Sequence, residues 1–181
     1  MTEYVFSLNY RLPPDEADMD AIVERLGEAG CTDALVGIGI GGRLALEFTR
    51  EAVSARDAFR SALEDVRAAI PAAVLIEASP DFVGLSDVAE LVGVSRQNVR
   101  KLMLAHADFP LPLHEGAASI WHLADVLGWL DGRKGRATDK VLREASAAAL
   151  EVNLAREAGR YAKLGSADLQ KLVESARPPP Q

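Results

Sequence analysis

Two hydrophobic rhythms follow one another through the first eighty residues. Tyr4, Phe6, Leu8 and Tyr10 alternate with Val5, Ser7 and Asn9, the period of a strand with one buried face. Pro13-Pro14 ends that run. Asp15 to Asp20 then place negative charge where the first turn of a helix favours it, and Met19, Ile22, Val23 and Leu26 recur at helical spacing as far as Gly30. Ala34 to Ile40 reads as a strand, Gly41-Gly42 as a hairpin turn, and Leu44, Leu46 and Phe48 alternate on the return strand. Ser54 can cap a helix in which Phe59, Ala62, Leu63 and Val66 share a face; Pro71 breaks it, and Ala73 to Ala78 supplies one more apolar strand.

The predicted order is β-α-β-β-α-β, the split βαβ or ferredoxin-like pattern, so the expected fold class is α+β with a ferredoxin-like unit over 1–80. Ser79-Pro80-Asp81 is a natural boundary. Residues 81–136 change character to short helices with tight turns, and 138–164 are Ala-rich with little Gly or Pro, which predicts a long helix. Val141, Leu142, Ala145, Ala149, Val152 and Ala155 form its narrow apolar stripe. Gly165-Ser166 interrupts it, Asp168 to Ser175 can form another short helix, and Pro178-Pro179-Pro180 closes the chain. Three segments are therefore expected: 1–80, 81–136 and a helical 137–181.

Charge sharpens this division. The chain carries a net charge of −7 with 49% apolar residues. Residues 1–80 hold 14 acidic and 7 basic side chains, and the rest of the chain is close to neutral. A protein that coats nucleic acid non-specifically is excluded by this balance, and any DNA contact needs a local basic face. The single cysteine, Cys31, excludes an intrachain disulfide and a cysteine metal cluster. With no secretory signal in MTEYVFSLNYRL and no apolar run long enough for a membrane span, a cytoplasmic protein without membrane contact is expected.

The segment richest in chemistry is LSDVAELVGVSRQNVRKLMLA, residues 85–105. Ser86 can cap a first helix carrying Val88, Ala89, Leu91 and Val92. Ala89 keeps the side chain small where two helices cross, and Gly93, four residues on, suits a sharp turn with positive φ. Val94 packs under the turn, Ser95 caps the second helix, and Val99 and Leu102 return to the core. The outward positions are Arg96, Gln97, Asn98, Arg100 and Lys101, and no acid occurs between Glu90 and Asp108. Arginine pairs bidentately with guanine, and Asn or Gln with adenine; Ser95, Arg100 and Lys101 can also hold phosphates. The plainer reading of such a face is a solvated helix surface.

Residues 82–131 resemble the winged helix-turn-helix of MerR-like regulators, most closely the small excisionase and AlpA-type phage regulators. The resemblance rests on FVGLSDVAELVGVSRQNVRKLM followed by FPLPLHEGAASIWHLADVLGWL. It implies a wing after Phe109-Pro110-Leu111-Pro112, a strand at Ile120-Trp121 and a helix over Leu123 to Leu130. It further implies that Arg96, Gln97, Asn98 and Arg100 face the major groove and that the wing tip, His114 to Ser119, approaches the backbone or minor groove. The tip departs from the family in lacking Arg or Lys, and Arg133, Lys134 and Arg136 beyond the last helix are expected to compensate.

Other signals lead elsewhere. Gly37, Gly39 and Gly42 have dinucleotide-motif spacing, but the strand-like RLALEFTR that follows favours a hairpin. His106, His114 and His122 lack short ligand spacing, so no metal is expected, and His106 and His122 read as surface or helix-end residues. Trp121 and Trp129 read as core anchors. No nucleophile motif occurs, and the expectation is a DNA-binding transcriptional regulator rather than an enzyme, without cofactor. It would bind operator DNA as a homodimer, with 1–80 and the C-terminal helix serving self-association or partner binding, or with 1–80 sensing a ligand that the sequence does not name. The alternative is an interaction module, such as an antitoxin or phage-defence accessory, whose acidic N-terminal half covers a partner protein.

Overall fold

A computed structural model describes residues 1–16, 18–37, 40–133 and 138–162. The first half contains β1 (Thr2–Arg11), α1 (Met19–Glu28), β2 (Ala34–Gly37), β3 (Arg43–Ala52), α2 (Ala55–Ala69) and β4 (Val74–Ser79). The strands form one antiparallel sheet in the order β2-β3-β1-β4. Alternation decides its faces. Tyr4, Phe6, Leu8 and Tyr10 of β1 lie beside Leu44, Leu46 and Phe48 of β3, all buried. Phe6 stacks between Phe48 and Phe59, with ring centroids 5.2 and 4.0 Å away. β3 follows Gly42 directly and pairs antiparallel with β2, Gly37 opposite Ala45, so a strand stands where a pyrophosphate would need a helix N-terminus.

Ser54 caps α2 as expected, accepting from the Asp57 N–H at 3.1 Å, and Asp18 caps α1, accepting from the Ala21 N–H. One expectation needs correction, and one strand position is not foreseen by sequence. Val23 is 44% exposed, because the apolar stripe of α1 is narrow and is met by Ile22 and Leu26. Arg50 lies on the buried face of β3, where alternation calls for an apolar residue. Its guanidinium is satisfied by both oxygens of Asp33 (2.7 and 2.9 Å), by Asp65 (2.8 Å) and by the Ser61 hydroxyl. A buried charge needs such pairing.

The second half contains β5 (Phe82–Val83), α3 (Leu85–Leu91), α4 (Arg96–Ala105), β6 (Trp121–His122) and α5 (Leu123–Asp131). It has its own core of Val83, Val88, Ala89, Val99, Phe109, Trp121, Leu123, Val126, Leu127 and Leu130. α6 (Lys140–Tyr161) follows. It is not a detached appendage: Ala145, Ala148 and Ala149 join the first core, and Leu142 packs against the second. Small alanine side chains let the helix approach the sheet closely. Tyr4 Oη donates to Glu144 Oε2 at 2.7 Å, and this bond, more than burial, raises the tyrosine pKa. Ala155, assigned to the stripe from spacing, is exposed, whereas Ser146 and Asn153 are buried. The short helix expected at 168–175, Lys134 and Arg136 lie outside the described residues. No described helix is long and apolar enough to cross a membrane. The fold is therefore mixed α+β, with six helices and a four-stranded antiparallel sheet among the described residues.

Candidate nucleic-acid interface

The turn between α3 and α4 is built from local hydrogen bonds. Gly93 adopts φ +67°, its N–H donates to the Glu90 carbonyl, and the Val94 N–H donates to the Ala89 carbonyl at 2.9 Å. This is the Schellman arrangement, in which a left-handed residue lets the chain satisfy two helix-end carbonyls and turn away. Ala89 and Val88 are buried, and Val94 packs against the same core. The N-terminus of α3 differs from expectation. Gly84 is its cap, the Asp87 carboxylate takes the Gly84 N–H at 2.7 Å, and Ser86 already stands inside the helix.

Ser95 caps α4, accepting from the Asn98 N–H at 3.2 Å. Val99 is the buried anchor of α4, with Leu102 and Met103 packed beside it. This fixes the opposite face. Arg96, Gln97, Asn98, Arg100 and Lys101 are all exposed, and none forms an ion pair with a described residue. Five polar side chains, three of them cationic, thus stand together on one helix end without an acid. Leu104, 70% exposed, shares that face one turn after Arg100. Sequence reading misses it, because an apolar residue at helical spacing suggests core.

The segment after α4 folds into a short hairpin. His114 bridges Ile120, with the Ile120 N–H donating to the His114 carbonyl at 3.0 Å. The His114 ring turns over the tip: a Cβ on Gly116 would lie 2.7 Å from its Nε2. Ser119 is half-buried beside it. The Trp121-His122 strand pairs with Phe82-Val83 rather than extending that hairpin. Trp121 is buried and donates to the Pro110 carbonyl at 3.0 Å, and Phe109 meets both tryptophans edge-on.

Arg133 is already engaged, so its expected role as an open phosphate contact needs revision. Its guanidinium lies 3.9 Å from the Trp129 ring centroid and its Nη2 reaches both oxygens of Asp108 at 2.7 and 2.8 Å. Desolvation of Asp108 pushes its carboxyl pKa up, but the Trp129 N–H and the Arg133 guanidinium outweigh this and hold it below the usual range.

His122 stands at the start of α5, the helix-end position read from sequence, but it is not a free surface residue. It is half-buried, and its Nδ1 lies 2.8 Å from Asp81 Oδ1. Asp81 is 1% exposed; its other oxygen accepts from Asn153 Nδ2 at 2.8 Å, and its carbonyl accepts from the Leu123 N–H at 2.7 Å. No local signal marks this network, because its members are 41 and 72 residues apart in the chain. Among the described residues no group of three or more His, Cys, Asp or Glu side chains is placed to hold a metal ion. No protein-family model matches the chain, and no curated protein or solved structure matches it at a significant level.

Proposed function

We propose that this chain is a sequence-specific regulator that binds double-stranded operator DNA through α4. In this reading residues 81–136 are a winged helix-turn-helix and α4 is its recognition helix. Residues 1–80 are a ferredoxin-like unit, supported by the β-α-β-β-α-β order and the β2-β3-β1-β4 sheet. The observation that carries the reading is the acid-free exposed row Arg96, Gln97, Asn98, Arg100 and Lys101 behind the glycine-hinged turn. Recognition helices enter the major groove by their N-terminal end, where these residues stand. Ser95 keeps its hydroxyl proton for a phosphate while its oxygen caps the helix, and the exposed Leu104 would offer a thymine methyl an apolar contact. His114 and Ser119 at the hairpin tip are the expected wing contacts, and Lys134 beyond α5 a further backbone contact.

A module of this size gives limited affinity, so binding as a homodimer to a palindromic site in the cytoplasm is the working form. The test is selection of bound genomic fragments followed by a mobility-shift titration. Arg96→Ala with Arg100→Ala is expected to weaken specific binding by at least about tenfold, since each good base contact contributes roughly 1–3 kcal/mol. Unchanged affinity would end the assignment of α4.

A second reading is favoured by the sheet. Glu3, Glu47 and Glu51 are exposed on the face of β1 and β3 that no described element covers. A basic partner protein, as an antitoxin has, would sit there. Co-purification of a stable protein partner distinguishes this reading, and the two can coexist.

A further inference from the structure

We propose that the groove between one end of the sheet and the last turns of α6 binds a small phosphorylated ligand, an oligophosphate joined to an apolar or planar body. Arg11 of β1, Arg43 of β3, and Arg156 and Arg160 of α6 line a cavity of about 480 Å³, walled by Val74, Leu75 and Ile76 of β4. No acidic side chain lines it among the described residues. This convergence is not a by-product of a basic chain, because the net charge is −7.

Arg11 and Arg43 stand directly opposite each other across the β1–β3 ladder, where like charges repel. Arg11, Arg43 and Arg160 form no ion pair with a described residue. Arg156 gives one nitrogen to its neighbour Glu157, while its Nε is buried and has no acceptor among the described residues. A buried donor without an acceptor is costly, and so is a cluster of like charges; a bound anion relieves the second.

Guanidinium groups take phosphate oxygens in pairs, so four of them match an oligophosphate better than a single carboxylate. The apolar wall adds a place for a base or other uncharged body, and the volume falls within the ordinary range of ligand sites, about 300–1,000 Å³. A DNA backbone would use the arginines but leave the concave apolar wall empty, which favours the small ligand. The site is independent of the DNA-reading assignment for α4.

The experiment is calorimetric titration of the full chain with ATP, with inorganic tripolyphosphate and with a random-sequence DNA duplex, at low salt without divalent metal. ATP is expected to bind at one site per chain, more tightly than tripolyphosphate. Arg43→Ala with Arg156→Ala is expected to weaken ATP binding at least tenfold, and Arg25→Ala, on α1, to leave it unchanged. Arg43→Lys with Arg156→Lys keeps the charge if the alanine variant unfolds, and is expected to bind ATP several-fold more weakly because the paired geometry is lost. Arg96→Ala with Arg100→Ala should retain full ATP binding, which separates failure of this site from failure of the helix-turn-helix reading. Absence of ATP binding, or equal ATP affinity in the groove variants, overturns the proposal. So does a groove-variant loss confined to duplex DNA, which would make the cluster a backbone contact.

Discussion

Asn153 on α6 donates from Nδ2 to the Asp81 carboxylate at 2.8 Å, and both residues are only 1% exposed. The same amide pairs with the backbone of Ala78, accepting from its N–H at 2.9 Å and donating to its carbonyl at 2.8 Å. β4 is the last strand of the sheet, so one side chain stands in for a missing neighbouring strand. Through Asp81 it also reaches His122 and the start of α5. A single asparagine thus joins the sheet edge, the segment between the two cores, and the start of α5 in the second half.

Asn153→Leu is therefore expected to destabilise the protein by about 2–4 kcal/mol, since it strands two backbone groups and a carboxylate away from water. Both tryptophans lie in the second half, so their fluorescence reports that half while far-ultraviolet circular dichroism reports the whole chain. The two urea transitions should separate in the variant more than in the parent. Coincident transitions with an unchanged midpoint would show that the network joins nothing.

Gly93→Ala isolates backbone strain. Nothing lies within 4 Å of the Cβ it would add, so no clash contributes. The remaining cost is that of holding alanine at φ +67°, about 1–2 kcal/mol. Thermal unfolding should record that loss, with Gly93→Asn losing less because asparagine tolerates the left-handed region. Equal stability of the alanine variant and the parent would mean that the turn does not need this conformation.

Arg50→Met removes the cation that Asp33 and Asp65 share. Both carboxylates keep more than a quarter of their side-chain surface in water, which screens the repulsion left behind. A loss of about 2–3 kcal/mol is expected, below the roughly 3–5 of a fully buried pair. Urea unfolding measures it, and a change under about 0.5 kcal/mol, the usual size of a surface substitution, would place Arg50 among surface charges.

Cys31 is buried, and its thiol is pushed up from an ordinary 9.0 to about 11, by burial first and by the Asp65 carboxylate second. The folded state favours the protonated form. Its contribution to stability is complete below about pH 9 and is lost as the pH rises towards about 11. Iodoacetamide at mildly alkaline pH should modify the native chain far more slowly than the denatured one. Comparable rates would mean an accessible thiolate.

The features legible in the sequence share one property: they are settled by near neighbours. Alternation from Tyr4 to Tyr10 fixes which face of β1 is buried, and Ser54 and Ser95 cap helices through an N–H three residues on. Gly93 closes its turn within the six residues from Ala89 to Val94, and Val99 marks the inner side of α4, which determines its outer side. The outward row from Arg96 to Lys101 could therefore be placed without coordinates. What tertiary structure alone decided is which polar groups have partners. Arg50 on a buried strand face, Arg133 bound to Asp108, His122 against Asp81, and Asn153 against Ala78 depend on contacts 11 to 75 residues apart. Hydrophobic periodicity tells a residue which way to face but not what it will meet, and a polar side chain is stable inside only if its partner arrives.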